Sequence, residues 1–295
     1  MRSNIFILLL LGSLFSCSSE KNTNTYYSDI EQWRKERLES LTQPDGWTTL
    51  IGLYWLEEGI QTFGSSKEND IVFTEKAPSF IGTLSVYGDS VSIQINDTVD
   101  VLINGEMVKS MSLKDDTEEN TTLMQWESLT WYLIQRGGKY GIRLKDSLAE
   151  QRFALKEIPH FEVDEHWKFK ATFIPPAPEA TLKVENILGQ VSDDPLEGHL
   201  EFTYKGKNYP LALLDGGEDA YFLIIADETT GEETYGGGRY IYVDRADSSG
   251  VTYIDFNKAY NPPCVFSVFA TCPLPPQENY LPFRVLAGEK ELPHH

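Results

Sequence analysis

In SDIEQWRKERLESLTQPDG, Ile30, Trp33, Leu38 and Leu41 recur at helical spacing. Ser28 stands at a capping position, Glu31 completes a capping box three residues on, and Pro44 and Gly46 stop the run. One short N-terminal helix is therefore expected over residues 28–45, with Trp33 and its neighbours packed on the main body. From Gly46 the pattern changes to short alternating runs broken by Gly, Asn and Asp. These predict strands at Asp70–Phe73, Ile81–Tyr87, Ser90–Ile95, Val99–Ile103, Leu123–Trp126, Thr130–Gln135 and Tyr140–Leu144. After Lys145 strict alternation is lost as far as a Pro/Ala link ending near Ala180. A second set of β patterns follows at Thr181–Gln190, His199–Tyr204, Tyr209–Leu214, Tyr221–Ala226, Arg239–Val243, Val251–Phe256, Cys264–Phe269 and Pro282–Ala287, with YKGKNY as a hairpin turn. The chain is thus expected to be mainly β: a β-sandwich over 46–150 joined to a second β-rich half over 151–295. The link either separates two halves or crosses between sheets of one domain.

Within the first half, FGSSKENDIVF and INDTVDVLINGEMV resemble the forkhead-associated sandwich through Asn69-Asp70-Ile71 and Asn104-Gly105. Ser65 stands where that family has its arginine, and no Ser-x-x-His follows. The resemblance implies the fold and argues against phosphothreonine binding.

The first residues, MRSNIFILLLLGSLFSC, hold one charge at Arg2 and an apolar run from Ile5 to Leu11. That is a secretory signal over residues 1–16, too short to span a membrane. Leu14-Phe15-Ser16-Cys17 resembles the lipobox of bacterial lipoproteins, which implies lipid on Cys17. Residues 17–27 then read as the lipidated cysteine and a polar tether, placing the protein in the bacterial envelope, facing the periplasm or the exterior. Contact with membrane is expected through this anchor alone. The net charge of −20 excludes nucleic acid as a partner, because polyanions are repelled over the screening length.

Candidate chemistry is sparse. His160, His166, His199 and the terminal pair His294-His295 show no metal-ligand spacing, so no zinc site is expected; no cofactor is expected either. YGGGRY, Tyr235 to Tyr240, lacks the lysine and following helix of a P-loop. It reads either as a tight loop or as an anion-binding nest beside the bidentate donor Arg239. In Val251–Asn257, strand alternation puts Ile254 and Phe256 on one face and Tyr253, Asp255 and Asn257 on the other. That polar face adjoins Tyr260-Asn261-Pro262-Pro263, whose prolines stiffen the backbone. A disulfide between Cys264 and Cys272 needs Cα atoms within about 7 Å, whereas an extended chain of this length spans roughly 26 Å. Strand geometry thus favours free thiols, while an oxidising compartment favours pairing.

Four stretches, Gly46–Ile71, Tyr235–Tyr240, Asp255–Cys264 and Ala270–Lys290, are similar to the bacterial domain-of-unknown-function family 1684. The elements GGGR, DFN, YNPPC and CPLPP that carry the likeness are all intact. The resemblance implies no established reaction. The reading is a small polar or anionic ligand held by Arg239, Asp255, Asn257, Tyr260 and Asn261, with Arg143 and Arg284 as weaker additions. Two alternatives stay open: a hydrolase using Asp255 as base or Cys264 as nucleophile, and a protein-interaction module.

Overall fold

The structure, a computed structural model, describes residues 19–293. The signal segment, Cys17 and His294-His295 lie outside the described residues. The protein is mostly β, and its strands fall into two bodies joined by the Ser147–Trp167 segment.

The first body is a sandwich. One face orders the strands Leu50–Trp55, Lys139–Asp146, Leu129–Arg136, Leu123–Trp126, Leu102–Ile103 and Glu106–Met107. The other orders Ile71–Val72, Gly59–Gly64, Gly82–Tyr87, Ser90–Ile95 and Ser110–Ser112. Period-two alternation sends Leu84, Val86, Val91, Ile93, Leu129, Trp131 and Leu133 inward. The core centres on Trp131, with the rings of Phe63 and Phe73 at 6.2 and 5.7 Å.

The second body is one strongly curled sheet, ordered Arg239–Asp244, Ala220–Asp227, Lys207–Asp215, Gly198–Tyr204, Lys168–Ile174 and Val251–Asp255. Its two end strands approach one another, and the Thr252 hydroxyl donates to the Asp244 carbonyl at 2.8 Å. Leu200, Phe202, Leu211, Leu213, Leu223, Ile225, Ile241 and Ile254 fill the interior. The YKGKNY hairpin is present, with Lys205 and Gly206 at φ 48 and 77°, the paired positive dihedrals of a two-residue turn.

Three expectations are corrected. The helix, α1, runs Ser19–Leu41 and so includes most of the expected tether. Ser28 does not cap: its hydroxyl donates back to the Thr25 carbonyl at 2.7 Å. Within this extension Tyr26 is bonded to the second body. Pro282–Ala287 forms no strand, and only Tyr280–Leu281 pairs there, parallel to Ala226–Asp227. Cys264–Phe269 is no strand either. Pro263–Val265 forms a 3₁₀ turn and Phe266 is helical in conformation. The chain therefore doubles back and brings the Cα atoms of Cys264 and Cys272 to 6.1 Å in a disulfide. Pro262 and Pro263 fix the turn that alternation alone reads as extended.

The disulfide loop joins the two bodies. Ser267 donates to the Leu50 carbonyl at 2.8 Å, and Arg143 Nη2 donates to the Thr271 hydroxyl at 2.8 Å. Leu50, from the sandwich, lies in one core cluster with Leu182, Leu214, Ile224, Tyr240 and Cys272. Removing the crosslink with Cys264→Ala and Cys272→Ala together should cost about 2–3 kcal/mol, the range for a loop this short, read from urea unfolding. An unchanged midpoint would show that the loop holds its shape without the bond.

Candidate functional site

The motif segments of the second body converge under α1. Ile30, Trp33, Arg37 and Leu41 line one face of the helix at spacings of three and four residues. Ile30 and Leu41 are fully buried, and the Trp33 ring sits 6.5 Å from that of Tyr260. The remaining contacts are polar. Tyr26 donates from its phenol to both oxygens of Asp255, each at 2.9 Å, and accepts from Asn257 Nδ2 at 2.9 Å. Burial and the Asp255 carboxylate push the Tyr26 phenol well above its ordinary range, so it acts as a donor. Arg34 donates to the Phe161 carbonyl at 2.8 Å. Arg37 donates to the Asn261 carbonyl at 2.8 Å and to Glu289 at 3.3 Å, with its guanidinium 4.5 Å from the Tyr260 ring centre.

Asp255 closes its strand and accepts the Asn257 N–H at 3.1 Å, which starts a 3₁₀ turn over Phe256–Lys258. The turn leaves Ile254 and Phe256 in the core and Tyr253 outside, and draws Asn257 inward to full burial. Asn257 is then oriented on both sides by the Asp164 backbone, at 3.1 and 2.9 Å. Asn261 donates its amide to Lys290 and its backbone N–H to Glu289 Oε2, at 2.8 and 2.7 Å. Burial raises the Glu289 carboxyl above its ordinary range, against the pull of Arg37 and the Asn261 N–H.

Arg239 lies behind this floor, its Nη1 donating to the Glu289 carbonyl at 3.4 Å. It is buried inside the barrel, paired with Asp227 at 2.7 Å, and donates to the carbonyls of Ala287 and Val285. Asp227 in turn accepts the N–H groups of Thr229 and Val285 at 2.8 and 3.1 Å. Arg239 is therefore spent on closing the C-terminal segment over the barrel. Of the two readings of YGGGRY, the geometry supports the tight loop. Gly238 has φ 80°, and a Cβ there would meet Ile225 O at 2.5 Å and the Pro275 ring at 2.3 Å. Arg143 is at the joint between the bodies, and Arg284 is on the surface with Glu232 and Glu233. Cys264 is consumed by the disulfide, which removes it as a nucleophile.

Asp255, Asn257, Tyr260 and Asn261 are thus brought together, while Arg239 and Arg143 are not. Tyr26, Arg37, Asp227, Asn279 and Glu289 were not singled out by motif reading. Arg37 carried a visible signal, being a cation on an otherwise apolar helical stripe. Asn279 replaces a missing rung of the barrel, bonding Ala212 N and the carbonyls of Ala212 and Ile224 at 2.7, 2.9 and 2.9 Å. Among the described residues, no group of three or more His, Cys, Asp or Glu is placed to hold a metal ion.

Satisfaction of the buried polar atoms under α1 is incomplete. Arg34 Nε, His160 Nε2 and Asn261 Oδ1 are buried without a hydrogen-bond partner, as is Arg239 Nε further in. Trp131 Nε1 and Arg143 Nε, outside the floor, share this state; such orphans are uncommon in folded proteins.

Residues 153–290 match the profile of a family described as "Protein of unknown function (DUF1684)". Across that span the chain is similar to this family. The DUF1684 region thus contains the whole barrel and its floor, while α1 and the sandwich lie outside the match. The solution structure of the uncharacterized protein from gene locus rrnAC0354 of Haloarcula marismortui is 29% identical, with a TM-score of 0.40. The match covers 48% of this chain and 81% of that one. No curated protein matches the chain.

Two measurements test the roles assigned to the buried charges. Asp227→Ala should cost about 3–5 kcal/mol by chemical denaturation, because it strands a buried guanidinium. Adding Arg239→Met should recover much of that loss; equal costs for the single and double variants would sink the pairing. His160 is held down from 6.5 to about 4 by burial and by Arg34 and Arg37. Between those values the unfolded chain takes up a proton that the folded chain refuses, so this group withdraws stability as pH falls through that window. His160→Gln should therefore lose less stability than the wild type between pH 7 and 4, as followed by melting temperature.

Proposed function

We propose that the protein is a lipid-anchored envelope protein that binds a small polar molecule on the floor formed by Asp255, Asn257, Asn261 and Glu289, under α1. The observation that carries this is the set of orphaned polar atoms beneath the helix, above all Asn261 Oδ1 on a residue with no exposure at all. Leaving such an atom unpaired costs about 1–3 kcal/mol, which a polar ligand bonded to it would recover. The anionic half of the expectation is set aside. The cation that would have neutralised an anion, Arg239, is already balanced by Asp227. The two acidic groups of the floor would also repel an anion. Anchoring rests on the signal and lipobox pattern ending at Cys17. No helix among the described residues is long and apolar enough to cross a membrane.

The test is a thermal-shift screen of neutral and cationic polar molecules against the mature chain, repeated with Asn261→Ala. Compounds that raise the melting temperature of the wild type and fail on the variant are expected. Separately, Cys17→Ala should move the protein from the membrane fraction to the soluble one. A screen without such compounds would overturn the binding reading, and a variant that still pellets would overturn the anchor.

A further inference from the structure

Of the elements that carry the family likeness, CPLPP takes no part in the floor under α1. Its Pro275 and Pro276 instead wall an open groove of about 640 Å³ against the hairpin Thr181–Glu185 and Val191–Pro195, with Lys183, Glu185, Val191 and Tyr280 around it. Lys183, Glu185 and Val191 stand on the exposed face of that hairpin, while Leu182 and Val184 are buried on the other. A second opening of about 470 Å³ shares Lys183 and Pro276 and reaches Glu278.

The groove exists because a strand ladder is cut short. The hairpin register, with the Asn186 N–H donating to the Gln190 carbonyl at 2.9 Å, makes Leu182 and Val184 the residues bonded across it, so the backbone groups of Lys183 and Glu185 point the other way. On that side Cys272–Leu274 pairs alongside. The Leu274 N–H donates to the Glu185 carbonyl at 2.7 Å, and the Ile187 N–H to the Cys272 carbonyl at 2.9 Å. Antiparallel continuation of the Asn186–Pro273 bridge would set Pro276 opposite Lys183, and a proline has no N–H to give. The chain turns off there into Gln277–Asn279, where the backbone of Ala212 holds Asn279. Among the described residues no other segment takes up the Lys183 backbone, which is left as a strand edge with its donor and acceptor facing the groove.

A backbone donor and acceptor at extended spacing match the main chain of another extended segment. The side chains around them define its character. Val191 and Tyr280 are exposed apolar groups beside the two proline rings, which suits an apolar side chain laid against them. The Lys183 ammonium is already paired with Asp193 at 3.1 Å, and Glu278 lies 3.4 Å from His199 Nε2. Glu185 and Glu278 therefore give the groove a negative sign, the same as the net charge of −20. We propose that this groove takes an extended peptide of alternating apolar and basic residues from a partner protein, added as a strand to the Lys183 edge. It shares no residue with the floor under α1.

The experiment uses the full mature chain carrying Cys17→Ala, titrated by fluorescence anisotropy with a labelled peptide that alternates lysine and valine and is blocked at both ends. A second peptide, N-methylated at its valines, carries the same charge without those backbone donors. The first should bind about tenfold more tightly than the second, the loss expected from removing a hydrogen bond or two. Lys183→Pro should weaken the first peptide by a similar factor, because the Lys183 N–H lies outside the hairpin's own ladder and a proline is tolerated on such an edge. Lys183→Ala, which keeps the backbone, should not weaken it. Without any variant, hydrogen exchange at the Lys183 amide should slow when the first peptide is bound. Equal affinity for the two peptides, equal losses in the alanine and proline variants, or unchanged exchange at Lys183 overturns strand addition. Absence of binding by either peptide overturns the assignment of the groove. Self-association that Lys183→Pro abolishes, without peptide binding, overturns the foreign partner and puts a second copy of this chain in its place.

Discussion

The barrel is closed by a charge that water never reaches. Arg239 points from its strand into the interior, where Asp227 and the carbonyls of Ala287 and Val285 accept its hydrogen bonds. A guanidinium without those partners would carry a desolvation cost of several kcal/mol, so the C-terminal segment cannot leave the barrel while the fold persists. Everything under α1 follows from that placement. Val285–Glu289 is drawn across the barrel mouth, Glu289 arrives where Asn261 and Arg37 can reach it, and α1 is then clamped by the same carboxylate. The order of dependence runs from a buried ion pair to a loop, from the loop to a carboxylate, and from the carboxylate to a helix outside the family match.

Legibility in the sequence followed the range of the interactions. Strands whose pattern is local, such as Gly82–Tyr87 and Ser90–Ile95, were readable because alternation alone dictates which side chains meet the core. Leu50–Trp55 and Gly59–Gly64 were missed because their own alternation is weak, and Lys168–Ile174 was missed although Phe169, Ala171 and Phe173 alternate with exposed residues. Cys264–Phe269 was misread for a related reason: β-branched and aromatic residues suggested extension, while two preceding prolines and a crosslink imposed a turn. Of the site, the floor residues Asp255, Asn257, Tyr260 and Asn261 were visible as a motif cluster. Their partners were not, because Tyr26 and Asp255 are separated by 229 positions and Arg37 and Glu289 by 252. Arg239 was misplaced because motif reading recognises a bidentate donor but not the direction in which a strand turns it.

The two ends of α1 are held by different physics. From Ile30 to Leu41 the helix is fixed by full apolar burial, by Arg37 on Glu289 and by the cation–π contact with Tyr260. Burial of the Ile30 and Leu41 side chains alone contributes on the order of 1.5–3 kcal/mol each. Before Ile30 the helix is tied to the second body through the hydrogen bonds of Tyr26, each worth about 0.5–1.5 kcal/mol net, or somewhat more to the Asp255 carboxylate. The helix is thus fixed to the second body through two polar anchors, Tyr26 on Asp255 and Asn257 and Arg37 on Glu289, with the buried Ile30 between them.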